Sequence, residues 1–214
     1  MILMSVETTK IIYVNGVNTT LKKAVGHCEK LTKILGYLVD CHFNVSMSLP
    51  VDLLESLYNR WHYLNFLLPD TPLVKELAER IEVRINSGCH DIVILGHSQG
   101  CVIVANALKR LSAENRKYCS AILFAPTNTQ EPTGLKTVEY FLNDKDWVIS
   151  ALPGNYIQKG VKSVKSFFGE TGKRKHGRVF LRAGQGHSFI EDYIDVIQEF
   201  DGYPDSLFYS MSDK

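Results

Sequence analysis

An α/β fold, with a mostly parallel sheet covered by helices on both faces in three layers, is predicted by three observations. Short runs rich in β-branched residues alternate with stretches whose apolar residues recur at three and four. The links between them are short. One of the apolar runs, Asp91 to Leu95, passes through Gly96-His97-Ser98-Gln99-Gly100 and continues as an apolar helix, the strand, turn and helix succession of a parallel sheet.

Each element follows from local chemistry. Lys10 to Asn15, ended by Gly16, reads as a strand buried on both faces. The next helix starts with Asn18 or Thr19 as N-cap, carries Leu21, Ala24, Val25, Cys28, Leu31, Ile34 and Leu35 on its apolar side, and stops at Gly36. Cys41 to Met47 alternates polar and apolar, as a strand near the sheet edge would. A helix over 51–68 places Leu53, Leu54, Leu57, Trp61, Leu64 and Leu68 on one face, with Tyr58, Tyr63 and Phe66 widening the apolar surface into a lid or an interface element. The following helix opens on Thr71 as cap with Pro72 at its first position, and runs to Ser87. Beyond the helix that starts at Ser98, strands are predicted over 119–124, 138–142 and 177–182, with a closing helix over 188–200.

Composition narrows the function classes. The 214 residues fit a single domain with one core, without a repeat or a low-complexity linker. With 24 Lys and Arg against 23 Asp and Glu, the net charge of +1 gives no field that would make nucleic acid the main partner. The first residues lack a basic and apolar leader, and no apolar stretch reaches the length of a membrane span, so a cytoplasmic protein is expected. Five cysteines are a poor disulfide framework, and none is spaced with histidine as metal ligands are. Structural, reduced cysteines are the reading, with no metal and no organic cofactor.

Chemistry concentrates at Gly96-His97-Ser98-Gln99-Gly100. A nucleophilic serine needs a bend so sharp that its hydroxyl stands clear of the sheet, and glycines two before and two after leave room for the crossing chain. A serine hydroxyl stays a weak nucleophile until an imidazole takes its proton, and the imidazole needs a carboxylate to hold its tautomer. Candidates for both follow later strands: Asp144 and Asp146 beyond 138–142, and His187 in Gly184-Gln185-Gly186-His187-Ser188 beyond 177–182. His176 lies among lysines and arginines before the last strand. His97 adjoins Ser98, where neighbouring side chains diverge.

From Lys10 onward the chain resembles the α/β-hydrolase superfamily. Ser98, Asp146 and His187 stand in that family's order of nucleophile, acid and base, and Asp146-Trp147-Val148 is similar to its acid segment, which favours Asp146 over Asp144. An oxyanion hole needs two backbone N–H donors. The resemblance implies Gln99 as one and Val17 as the other, because Asn15-Gly16-Val17-Asn18 resembles the family's His-Gly loop with asparagine in place of histidine. Asn15, Gly16 and Trp61 are the expected substrate-binding residues. Ala125 to Thr137 is too short for the cap of larger members.

These readings together predict a compact, capless serine hydrolase that cleaves carboxylic esters or thioesters, lipid and acyl substrates above others. A peptidase or acyltransferase with the same triad is the alternative among enzymes, and a non-catalytic hydrolase-fold binding module the alternative outside them. The basic segment Lys159, Lys162, Lys165, Lys173, Arg174, Lys175 and Arg178 reads as a solvated loop or as a contact for an anionic membrane surface. Oligomerisation stays open.

Overall fold

The computed structural model describes residues 10–45, 71–126, 133–143, 146, 178–182, 186–194 and 197, with the backbone alone at 178–182. Six strands form one sheet: β1 (Ile11–Val14), β2 (Val39–His42), β3 (Ile92–His97), β4 (Cys119–Phe124), β5 (Thr137–Asn143) and β6 (Arg178–Arg182). Their order is β2-β1-β3-β4-β5-β6, and every neighbouring pair is parallel. The helices are α1 (Leu21–Leu35), α2 (Pro72–Asn86), α3 (Gln99–Arg110) and the single-turn α4 (Ala113–Arg116), followed by a wide helical turn, Phe189–Tyr193.

Strand pleating divides the core into two halves. Ile11, Tyr13, Val93, Leu95, Ile122 and Phe124 point to one face, where Cys28, Leu31 and Leu35 of α1 and Phe189 and Tyr193 of the C-terminal turn cover them. Ile12, Val14, Ile92, Ile94, Ala121 and Leu123 point to the other. There Val74, Leu77 and Ile81 of α2 and Val104, Ala107 and Leu108 of α3 close the third layer. Strands buried on both faces carry no polar alternation, which is why β1, β3 and β4 are continuous apolar runs.

Two element boundaries depart from the sequence reading. Thr20, not Asn18 or Thr19, caps α1, its hydroxyl accepting from Lys23 N at 3.3 Å. Asn18 is instead in a left-handed turn at φ 54°, a conformation asparagine tolerates, and that extra turn moves the helix start on. The second strand begins earlier than Cys41 and ends at His42, because its ladder partner among the described residues, β1, ends at Val14 opposite it. Its place at the sheet edge agrees with its alternation. Gly36 ends α1 at φ 69°, and Thr71 and Pro72 open α2, with the Thr71 hydroxyl accepting from Val74 N at 3.3 Å.

The predicted helix over 51–68 with Trp61, the basic segment's lysines, Asp144 and residues 127–132 lie outside the described residues. Among the described residues the cysteines are free, with Cys28, Cys89, Cys101 and Cys119 buried, and no helix is long and apolar enough to cross a membrane.

Topology places the site. The chain leaves β1 towards β2, then crosses back to β3 and proceeds the other way, so the connections after β1 and β3 diverge and open a crevice at their carboxyl ends. Asn15 to Asn18 follow β1, and Ser98 follows β3.

Candidate active site

Ser98 joins β3 to α3 with φ 53° and ψ −120°, a strained conformation for a residue with a side chain. Glycines around it are required by close backbone approach. A Cβ on Gly96 would lie 3.0 Å from Cys101 Cα, one on Gly16 would lie 2.9 Å from Ser98 Cβ, and one on Gly100 would run into the Val14 carbonyl oxygen of β1. The bend is held by Ser98 N donating to Phe124 O at 2.9 Å and Cys101 N to Ser98 O at 3.0 Å. Ser98 therefore stands at the end of β3 beneath the Gly16 turn.

The structure brings His187 and Asp146 to it. His187 Nε2 lies 2.9 Å from Ser98 Oγ, and His187 Nδ1 lies 2.6 Å from Asp146 Oδ2. A carboxylate accepts, so Nδ1 carries the proton and Nε2 is left to accept from the serine hydroxyl. Asp146 is fully buried and His187 slightly exposed, which puts the carboxylate in low dielectric where its hold on the imidazole is strong. The loop around His187 is itself held. Ser188 N donates to Asp192 Oδ2 at 2.7 Å, Asn143 Nδ2 to Gly186 O at 3.0 Å, and the Asp192 carboxylate fills the space a Cβ on Gly186 would need.

Gln99 is the first residue of α3, where the backbone N–H has no partner inside the helix and the helix dipole is positive. Asn15 follows β1 directly. Its Oδ1 accepts from Asn44 N at 2.8 Å and its Nδ2 donates to Asn44 O at 3.1 Å, while Asn44 Nδ2 donates to Gln99 Oε1 at 2.7 Å. Asn15 is fully buried, and its amide ties the loop after β1 to Asn44.

Residues 53–146, which include Ser98 and Asp146, match the family described as serine hydrolase. Those 94 of the 214 residues make the chain similar to that family. No curated protein matches it. Among solved structures it is similar to a predicted CIB-like hydrolase from Thermoplasma acidophilum, 13% identical, with a TM-score of 0.46 over 91% of this chain and 85% of that one.

Three residues of this site escape a sequence reading. Asn44 lies just beyond β2, where only the parallel register shows that it meets Asn15. Tyr193 looks like an ordinary apolar residue of a closing helix. His97 does diverge from Ser98, but its ring meets the far side of the His187 loop, with Nε2–H donating to His187 O at 2.8 Å. The nearest sequence signal was its place inside the Gly96 to Gly100 bend.

Burial, and secondarily the neighbouring His187, push the pKa of His97 down to about 3. The ring is neutral in the folded protein. In the unfolded chain it titrates near 6.5, so from about pH 6.5 down to about 3 the unfolded state binds the extra proton and folding loses stability, the loss levelling off below. His27 and His42, also lowered by burial, act in the same direction. A loss on the order of 2 kcal/mol between pH 7 and pH 5 is expected. His97→Gln, which keeps an N–H donor but cannot titrate, should flatten this slope in denaturant titrations; an unchanged slope would show that His97 does not carry it.

Proposed function

We propose that the protein hydrolyses carboxylic esters or thioesters through an acyl-enzyme on Ser98, with His187 as general base and acid and Asp146 as the acid of the triad. The hydrogen-bonded line from Ser98 Oγ through His187 to Asp146 Oδ2 is the observation that carries this reading. His187 Nε2 takes the serine proton as Oγ attacks the acyl carbon, and Asp146 stabilises the imidazolium without itself taking the proton. The imidazolium returns the proton to the leaving alkoxide or thiolate, and a water then repeats the sequence to release the acid. The Gln99 and Val17 N–H groups meet the oxyanion of both tetrahedral intermediates.

Acyl and lipid substrates are favoured because apolar side chains are exposed at the carboxyl ends of the strands. Leu21 at the start of α1 is 57% exposed and Val45, just beyond β2, 73% exposed, both at the end of the sheet where Ser98 lies. Reaction with a fluorophosphonate, followed by mass spectrometry, tests the nucleophile. Label on Ser98, lost in His187→Ala, is expected; label elsewhere, or none on folded protein, would sink the assignment in favour of a binding module. A panel of 4-nitrophenyl esters, thioesters and peptide anilides separates the substrate classes, with turnover rising with acyl length and little cleavage of the anilides expected.

A further inference from the structure

The acid of this arrangement has a second partner. Tyr193 donates its hydroxyl proton to Asp146 Oδ2 at 3.2 Å, the same oxygen that accepts from His187. The direction of that proton is fixed from behind, because the phenol oxygen accepts from Asn143 N at 3.1 Å and so turns its own hydrogen towards the carboxylate. Its ring is fully buried, with Phe124 at 5.9 Å and His97 at 6.1 Å between ring centroids, so it has no freedom to swing away. Asn143 belongs to β5 and also holds Gly186 O, so the Tyr193 and Asn143 pair ties the loop of the acid to the loop of the base.

We propose that Tyr193 is a positioning residue of this site, holding Asp146 Oδ2 in line with His187 and drawing off part of the carboxylate's charge. The inference rests on the roles given above to Ser98, His187 and Asp146. Burial first, and the Asp146 charge second, push the Tyr193 hydroxyl well above its ordinary pKa, so it stays a donor throughout the working pH range. A carboxylate deprived of that donor keeps more charge on Oδ2 and binds the protonated imidazole more tightly. The phenol thereby loosens the hold of Asp146 on the protonated imidazole compared with the bare carboxylate.

Tyr193→Phe keeps the ring and removes the hydroxyl. The pH at which the His187 ring takes up its proton, followed by NMR, should then rise by about half a pH unit, and the acidic limb of kcat/KM with it. At the alkaline plateau kcat should fall about fivefold with KM little changed, since the loss is in alignment of the base and not in substrate binding. The other groups near the ring stay the same in both proteins: Ser98 and Asp146 as its partners, His97 from β3 at 5.2 Å between centroids, and Asp192 and Glu191 on the C-terminal turn, beside Tyr193 and His27 respectively. A purely structural role would lower the melting temperature without moving the titration.

Replacing Tyr193 with 3,5-difluorotyrosine keeps the fold and the hydrogen bond but makes the hydroxyl a stronger donor, so the His187 titration should move the opposite way. Titrations that stay within about 0.1 pH unit of wild type in both variants would overturn the inference. The NMR readout needs no substrate. If Ser98→Ala kept full ester turnover while Tyr193→Phe still moved the His187 titration, the nucleophile assignment would fall and the Tyr193 linkage would stand.

Discussion

Ser98→Ala is expected to lower kcat for a short-chain ester by about 10⁴-fold or more, with His187→Ala equally damaging and the double variant no worse than either. The non-additivity follows from geometry. Ser98 Oγ is 2.9 Å from the imidazole that would take its proton, and without either member the proton has no short path. Asp146→Asn should cost a comparable factor for a different reason: an amide in place of Oδ2 presents N–H to Nδ1 and favours the tautomer whose Nε2 already bears hydrogen. All of these variants should fold, since Ser98 and His187 lie at the edge of the crevice and Asn is isosteric with Asp. Steady-state kinetics on a 4-nitrophenyl ester, with circular dichroism for the fold, decides it. Turnover in purified Ser98→Ala within tenfold of wild type would place the nucleophile elsewhere.

Gly100→Ala is expected to be the most damaging single methyl among the described residues. The added Cβ would run into the Val14 carbonyl oxygen and come within 2.9 Å of the Asn15 carbonyl oxygen. Both belong to the backbone of β1 and the loop that follows it, and β1 is central and wholly buried between β2 and β3, so neither can yield as a flexible side chain would. A cost of about 3–5 kcal/mol follows, or a melting temperature lower by roughly 10 °C. Gly26→Ala is the control, because nothing lies within 4 Å of a Cβ there and the site is interior to α1. That change should stabilise by about 0.5–1 kcal/mol through helix propensity alone. Thermal unfolding of the pair should therefore shift in opposite directions; equal, small shifts would mean that α3 does not pack on β1 as closely as described.

Much of this molecule was readable before folding because its signals are local. A β-branched run such as Ile11–Val14, a cap such as Thr71-Pro72, a stop such as Gly36 and a bend such as Gly96 to Gly100 each work within a few residues of themselves, and all were recognised. Errors fell where a distant partner sets the boundary. The second strand stops at His42 because β1 ends opposite it, and α1 is capped by Thr20 because Asn18 is spent on the turn after β1. Neither fact can be found in the local window.

By itself the sequence determined the layered α/β architecture and the order of serine, acid and histidine beyond successive strands, since side-chain periodicity and glycine bends are properties of the chain within one turn or one strand. Only the tertiary structure decided which groups support those three. Tyr193 on Asp146 Oδ2, His97 on the His187 carbonyl and Asn44 across Asn15 and Gln99 are hydrogen bonds spanning 47, 90, 29 and 55 residues of chain. Hydrogen bonding is short-ranged and directional, and parallel crossovers bring such residues within hydrogen-bonding distance of one another only after every intervening element has packed.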